Sequence, residues 1–170
     1  MMKITHVFAV LCVLGMGLGA LPNAQALETK PILTLAMAKQ IAQTCEEYQK
    51  QQAFNPIVIA IYDDGGNLKL FRRQENSFLG SVTIAHMKAT TSSSFPFSSR
   101  LMGELVYGKD GQPGIIPGGA EIAGHAAFPG GLPIITKDGS HIGSIGVSGA
   151  TADEDEQCAQ AGLDSIADLL

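Results

Sequence analysis

Apolar and polar positions change period several times along the chain, and each change marks an element. From Leu35 to Gln52 no glycine or proline intervenes, and Leu35, Ala38, Ile41, Ala42, Cys45 and Tyr48 recur every three or four residues. That spacing predicts a helix with one buried face, and Thr34 stands where an N-cap hydroxyl belongs. Pro56 bars continuation, and Ile57 to Tyr62 is an apolar, β-branched run. Asp63-Asp64-Gly65-Gly66-Asn67 then reads as a turn before alternation resumes from Leu68 to Phe71, which predicts a hairpin. Phe78 to Phe95 returns to helical spacing, with Leu79, Val82, Ile84, Ala85 and Ala89 on the apolar side, and Pro96 ends it. Ser99 to Tyr107 suits a further short helix.

From Gly108 the pattern shortens into strands separated by Gly118-Gly119, Pro129-Gly130-Gly131 and Asp138-Gly139. The expected strands are one carrying His125 into Pro129, one from Leu132 to Thr136, and one from His141 to Val147. Asp153 to Leu169 closes as a helix with its acidic residues at the positive end. The order is α-β-β-α-(α)-β-β-β-α, an α+β domain with helices on a mainly antiparallel sheet.

Composition changes this picture at the N-terminus. Lys3 precedes an unbroken apolar and glycine stretch from Val7 to Leu21, followed by Pro22 and the small-residue pattern Ala24-Gln25-Ala26. This is the form of a secretory signal cleaved after Ala26, too short to span a bilayer comfortably. The expectation is residues 1–26 as signal peptide, residues 27–170 as one domain, and a periplasmic or extracellular location. With 45% hydrophobic and 16% charged residues, the chain is not intrinsically disordered. A net charge of −5 argues against a nucleic-acid binder, which needs a basic face. After cleavage two cysteines remain, Cys45 and Cys158, which could form a disulfide in an oxidising compartment or stay as buried thiols.

Five segments then occur in order: Ile61 to Leu68, Ile84-Ala85-His86-Met87-Lys88-Ala89, Gly130-Gly131-Leu132-Pro133-Ile134, Ile142 to Gly149, and Asp155 to Leu163. Together they resemble the GlcG/HbpS family of haem-binding proteins, related to the C-terminal domain of PduO-type cobalamin adenosyltransferases. The resemblance implies a profilin-like, three-layer α/β/α fold with a five-stranded antiparallel sheet, a homo-oligomer, and haem as cofactor. It also implies that the first and last helices lie antiparallel on one sheet face, where Cys45 and Cys158 could meet.

Candidate chemistry is sparse. His86 could ligate haem iron, or be a surface histidine. Lys88 could pair a propionate, or belong to a structural ion pair. Thr91 offers a weak oxygen donor, or bonds its own helix backbone. His125, flanked by small residues, is a second candidate iron ligand, and the amides of Gly130 and Gly131 could hold a carboxylate. Arg72 and Arg73 must face opposite sides, and Arg73 is the candidate propionate partner. His141 is expected to face solvent. Asp63 and Asp64 could act as acid and base, but a turn explains them. Gly146-Val147-Ser148-Gly149 has the wrong spacing for a nucleophile elbow, no histidine pair has zinc spacing, and Asp153 to Glu156 reads as a solvated helix start. No catalytic residue is assigned. The leading expectation is an exported haem-binding protein for storage, sequestration, sensing or presentation, with a membrane sensor or transporter as a further partner. The alternatives are a tautomerase- or hydratase-like enzyme on an organic acid or carbonyl compound, with Asp63 or His125 as base, and an accessory module for a membrane kinase.

Overall fold

The computed structural model describes residues 29–170; the signal-peptide segment read at residues 1–26 lies outside them. Four helices and four strands follow in the order α1 (Leu35–Gln51), β1 (Val58–Asp63), β2 (Leu68–Arg73), α2 (Leu79–Ser94), α3 (Ser99–Tyr107), β3 (Gly131–Ile135), β4 (His141–Ser148) and α4 (Ala152–Asp164). The sheet is antiparallel throughout, in the order β2-β1-β4-β3. Helices α1 and α4 cover one face and α2 the other.

Among the described residues the expected five-stranded sheet has four strands. No strand forms around His125, where a 3-10 turn at Gly119–Glu121 and irregular chain run instead. The physical reason lies in how that backbone is satisfied. The amide of Ala126 donates to Thr91 Oγ1 at 2.8 Å, and its carbonyl accepts from the same hydroxyl at 3.1 Å. A helix side chain thus replaces the ladder partner a strand would need.

Local chemistry sets the other boundaries. Thr34 Oγ1 accepts from the Met37 amide and starts α1. Between β1 and β2, Asp63 Oδ1 accepts from the amides of Gly65 and Asn67, both at 2.9 Å. A capping box of Thr151 and Glu154 opens α4. The larger core lies under α1 and α4, where Ile41, Ile59, Ile61, Ile134, Ile145 and Ile166 are fully enclosed. In that layer Cys45 and Cys158 are joined as a disulfide, their Cα atoms 4.7 Å apart.

The α2 side is built differently. Among the described residues, Val58, Ala60, Ala85 and Ala89 form its buried apolar core, with Tyr62 and Val82 packed partly buried against it. The helix settles so closely on the sheet that a Cβ on Gly146 would stand 2.2 Å from the Ala85 carbonyl oxygen. Small residues at that contact let the backbones approach, and Leu79, expected to face inward, is displaced outward. Leu79 is 79% exposed, and Leu35 of α1 is exposed too. The residues α2 buries include Ser81, Lys88, Thr91 and Ser92, so its inner face is unusually polar.

Candidate functional site

Helix α2 carries most of the chemistry and divides it. At 3.6 residues per turn, His86 and Lys88 project about 200° apart. They emerge on opposite flanks of the helix and meet different neighbours.

On one flank Lys88 is 1% exposed and its Nζ lies 2.7 Å from Asp155 Oδ2 of α4, whose side chain is 2% exposed. Nζ also donates to the Val147 carbonyl at 2.9 Å and lies 5.2 Å from the centre of the Phe128 ring. The second oxygen of Asp155 accepts from the Ala150 amide at 3.0 Å. Burial pushes the Lys88 ammonium below its ordinary pKa and the Asp155 carboxyl above its own, and the attraction between the two opposes both shifts. Lys88 is a structural ion-pair residue at the base of a pocket of about 280 Å³. Asp155, expected at a solvated helix start, is one of the most enclosed polar residues.

The glycines beside this pair are committed as well. The Gly131 amide donates to Ser99 Oγ at 2.8 Å, and the Gly130 amide is directed at Glu156 at 3.4 Å. The carboxylate at this glycine pair is the protein's own. Gly130 has φ +118°, and a Cβ there would stand 2.5 Å from Lys88 Nζ and 2.8 Å from the Val147 carbonyl oxygen, so glycine leaves room for the amine and its acceptor.

On the other flank His86 is half-buried. Its Nδ1 lies 2.8 Å from the Tyr62 hydroxyl. Its ring stacks on Phe71 at 5.2 Å with the planes 4° apart, and meets Tyr62 edge-on. Among the described residues Nε2 has no hydrogen-bond partner. Arg73 lies two residues after Phe71 and so shares its sheet face; the two residues pair across β1 with Val58 and Ala60, which face α2. Arg73 is exposed and donates to Ser77 Oγ at 3.2 Å. Arg72 points the other way, 2.7 Å from Glu46 of α1. Because α2 packs over β1, β4 and β3, the His86–Phe71–Arg73 side stays open.

Thr91 and His125 form a third group, further along α2. Thr91 is fully enclosed, and the Met87 carbonyl, 2.9 Å from its hydroxyl, shares the single hydroxyl proton with the Ala126 carbonyl. His125 Nδ1 lies 3.0 Å from the Ala123 carbonyl oxygen, and its ring tilts against Phe95. Its Nε2 is buried with no partner among the described residues, as is Nε2 of His141. Neither histidine presents that nitrogen to solvent. Asp63 is absorbed by its turn, and neither it nor His125 lines the Lys88 pocket.

Residues 33–164 match the family model described as haem-degrading protein HbpS-like. The chain belongs to the HbpS-like family. It is similar to an uncharacterised 15.0 kDa protein encoded in the dhaT–dhaS intergenic region of Citrobacter freundii, with 34% identity over 81% of this chain and 94% of that one. Among solved structures it is similar to a double glutamate-to-aspartate variant of Streptomyces reticuli HbpS, at 29% identity and TM-score 0.69, covering 89% and 98% of the two chains. The PduOC:haem complex shares the fold, at 24% identity and TM-score 0.70, over 80% of this chain and 96% of that one.

Within this HbpS-like chain, the neighbours of the candidate residues that the sequence did not reveal are Tyr62 and Phe71 beside His86 and Asp155 beside Lys88. The alternation of β2 places Phe71 with Arg73, a signal present in the sequence. Nothing local marks Asp155, because its partner is 67 residues away.

Proposed function

We propose that this is an exported, homo-oligomeric protein that binds haem on the His86 flank. The observation that carries the proposal is the imidazole held between Tyr62 and Phe71, with Nδ1 engaged at 2.8 Å and Nε2 unpartnered among the described residues. A metal-binding histidine needs its second nitrogen fixed by an outer partner, which sets the ring orientation; Tyr62 supplies that partner. The Phe71 ring adds an apolar plate, and Arg73 on the same face adds a cation suited to a propionate. These residues fit the group. Bound haem would supply redox-active iron, and the protein would supply ligation, apolar contact and charge pairing. The haem-degrading description of the family and the haem complex of a protein with this fold support haem as the ligand class.

This flank differs from the expected site in its membership. His86 and Arg73 belong to it, whereas Lys88, Thr91, Gly130 and Gly131 spend their polar atoms inside the fold. An open flank covers one side of a porphyrin, so a second copy of the chain is the natural cover for the other, which supports the homo-oligomer.

Titration with haemin, followed by the Soret band, tests the site. The His86→Ala variant is expected to lose the ligated spectrum, and Tyr62→Phe to keep it with affinity weaker by about tenfold. His125→Ala is expected to match the parent protein. A parent protein with no Soret change would overturn haem binding, and an undiminished change in His86→Ala would overturn this site. N-terminal sequencing of the exported protein is expected to begin at Leu27; a retained leader would overturn cleavage at that position.

A further inference from the structure

The pocket beside the Lys88–Asp155 pair holds polar groups that the fold leaves unused. Ser81 of α2 and Ser148 of β4 both line it, and each is only 4% exposed. Neither hydroxyl hydrogen-bonds to any described residue, and both oxygens keep some accessible surface. The first turn of α2 adds to them. Its N-cap is Phe78, whose side chain makes no capping bond; the Ser81 amide donates to the Phe78 carbonyl at 3.1 Å, and the amides of Leu79 and Gly80 have no partner among the described residues. Gly80 lines the pocket, and a Cβ there would meet nothing within 4 Å.

The unused groups share a polarity. Both oxygens of Asp155 are occupied, one by Lys88 and one by the Ala150 amide. Lys88 Nζ has three protons, of which Asp155 and the Val147 carbonyl take two. Glu156 lies nearby but outside the lining, neutralised by Arg100 at 2.8 Å. With Lys88 Nζ over the Phe128 ring, what remains is two hydroxyls and the positive end of a helix, beside the side chains of Phe78, Ile84 and Phe128. Donors beside apolar walls select an anion with a short hydrocarbon part. A space of about 280 Å³, against about 30 Å³ per water in the liquid, suits a molecule of a few carbons rather than a porphyrin.

We propose that this pocket binds a small monocarboxylate, such as a short-chain or 2-hydroxy acid, through Ser81, Ser148 and the first turn of α2. The site is separate from the His86 flank and does not depend on haem.

Titration of the 15N-labelled protein with acetate, lactate and butyrate tests it, with butyramide as the uncharged isostere. Saturable shifts are expected at the amides of Gly80, Ser81, Gly149 and Ala150 with the acids. Butyramide should produce none. The two serine hydroxyls hold nothing else in place, so the Ser81→Ala/Ser148→Ala variant is expected to fold and melt like the parent while binding butyrate at least about tenfold more weakly. His86→Ala is expected to bind the acids unchanged, which separates this site from the haem proposal. Non-saturating or scattered shifts, equal binding of butyramide, or undiminished binding by the double-serine variant would each overturn the proposal.

Discussion

The two flanks of α2 show what burial does to residues of similar chemistry. Lys88 and His86 stand two apart on one helix, and both could bind a ligand. Lys88 lies between α2, α4 and the Phe128 segment, where a charge is tolerable only if nearly every proton finds a partner. Asp155, the Val147 carbonyl and the Phe128 ring answer that demand. His86 faces the uncovered part of the sheet, where one ring nitrogen is held by Tyr62 and the other is unpaired among the described residues. Desolvation forces a charged group into structure. Partial exposure leaves it free for function.

The strongest way to break this contrast is to remove the charge on the closed flank. Lys88→Met leaves Asp155 buried with an uncompensated charge, and is expected to lower unfolding stability by about 3–5 kcal/mol in urea denaturation. Adding Asp155→Asn, which preserves the acceptor for the Ala150 amide, should restore most of that loss. A Lys88→Met protein as stable as the parent would show that the pair does not hold the two helices.

A smaller effect is expected where α2 holds the long loop. Thr91→Val keeps the shape but leaves the Ala126 amide and carbonyl without their shared hydroxyl, at a cost of about 1–3 kcal/mol. Hydrogen exchange at Ala126 should accelerate while exchange in β1 and β4 stays slow. Unchanged protection at Ala126 would show that the loop is held by other contacts. On the open flank, His86→Ala should cost under about 1 kcal/mol of stability while removing the haem spectrum. A large loss of stability there would erase the distinction between the flanks.

The smallest effect concerns acid. The Asn67 and Gly65 amides hold the Asp63 carboxyl below its usual value of 3.8. A depressed carboxyl stabilises the fold above that value, and the contribution disappears as pH falls through the folded-state value. The parent is therefore expected to lose stability below about pH 4 slightly more steeply than Asp63→Asn, whose amide oxygen accepts the same two bonds at every pH. Identical acid limbs would remove Asp63 from the turn's support.

Much of the fold was legible because its signals are local. The spacing of Ala38, Ile41, Ala42 and Cys45, the hydroxyl of Thr34, and the Asp63 to Asn67 turn each specify an element from neighbouring residues. In α2 the apolar spacing holds for Val82, Ala85 and Ala89 but not for Leu79, because the close approach of helix and sheet admits only small residues at the contact. Thirteen of the 20 glycines lie between Gly103 and Gly149, and they suggested turns between three strands. One of those strands is a loop tied down by Thr91.

By itself, the sequence determined the order and type of nearly every element, the family, and the identity of the few residues able to carry chemistry. Only the tertiary structure decided which of them are free. Asp155 meets Lys88 across 67 residues, the Ala126 backbone meets Thr91 across 35, and the Gly130 amide turns to Glu156 across 26. Each of these pairings removes a candidate from the site, and none has a local signature. The reason is physical: helix and turn formation depend on neighbours a few residues away, whereas desolvation and the partner that offsets it depend on what the whole fold brings alongside.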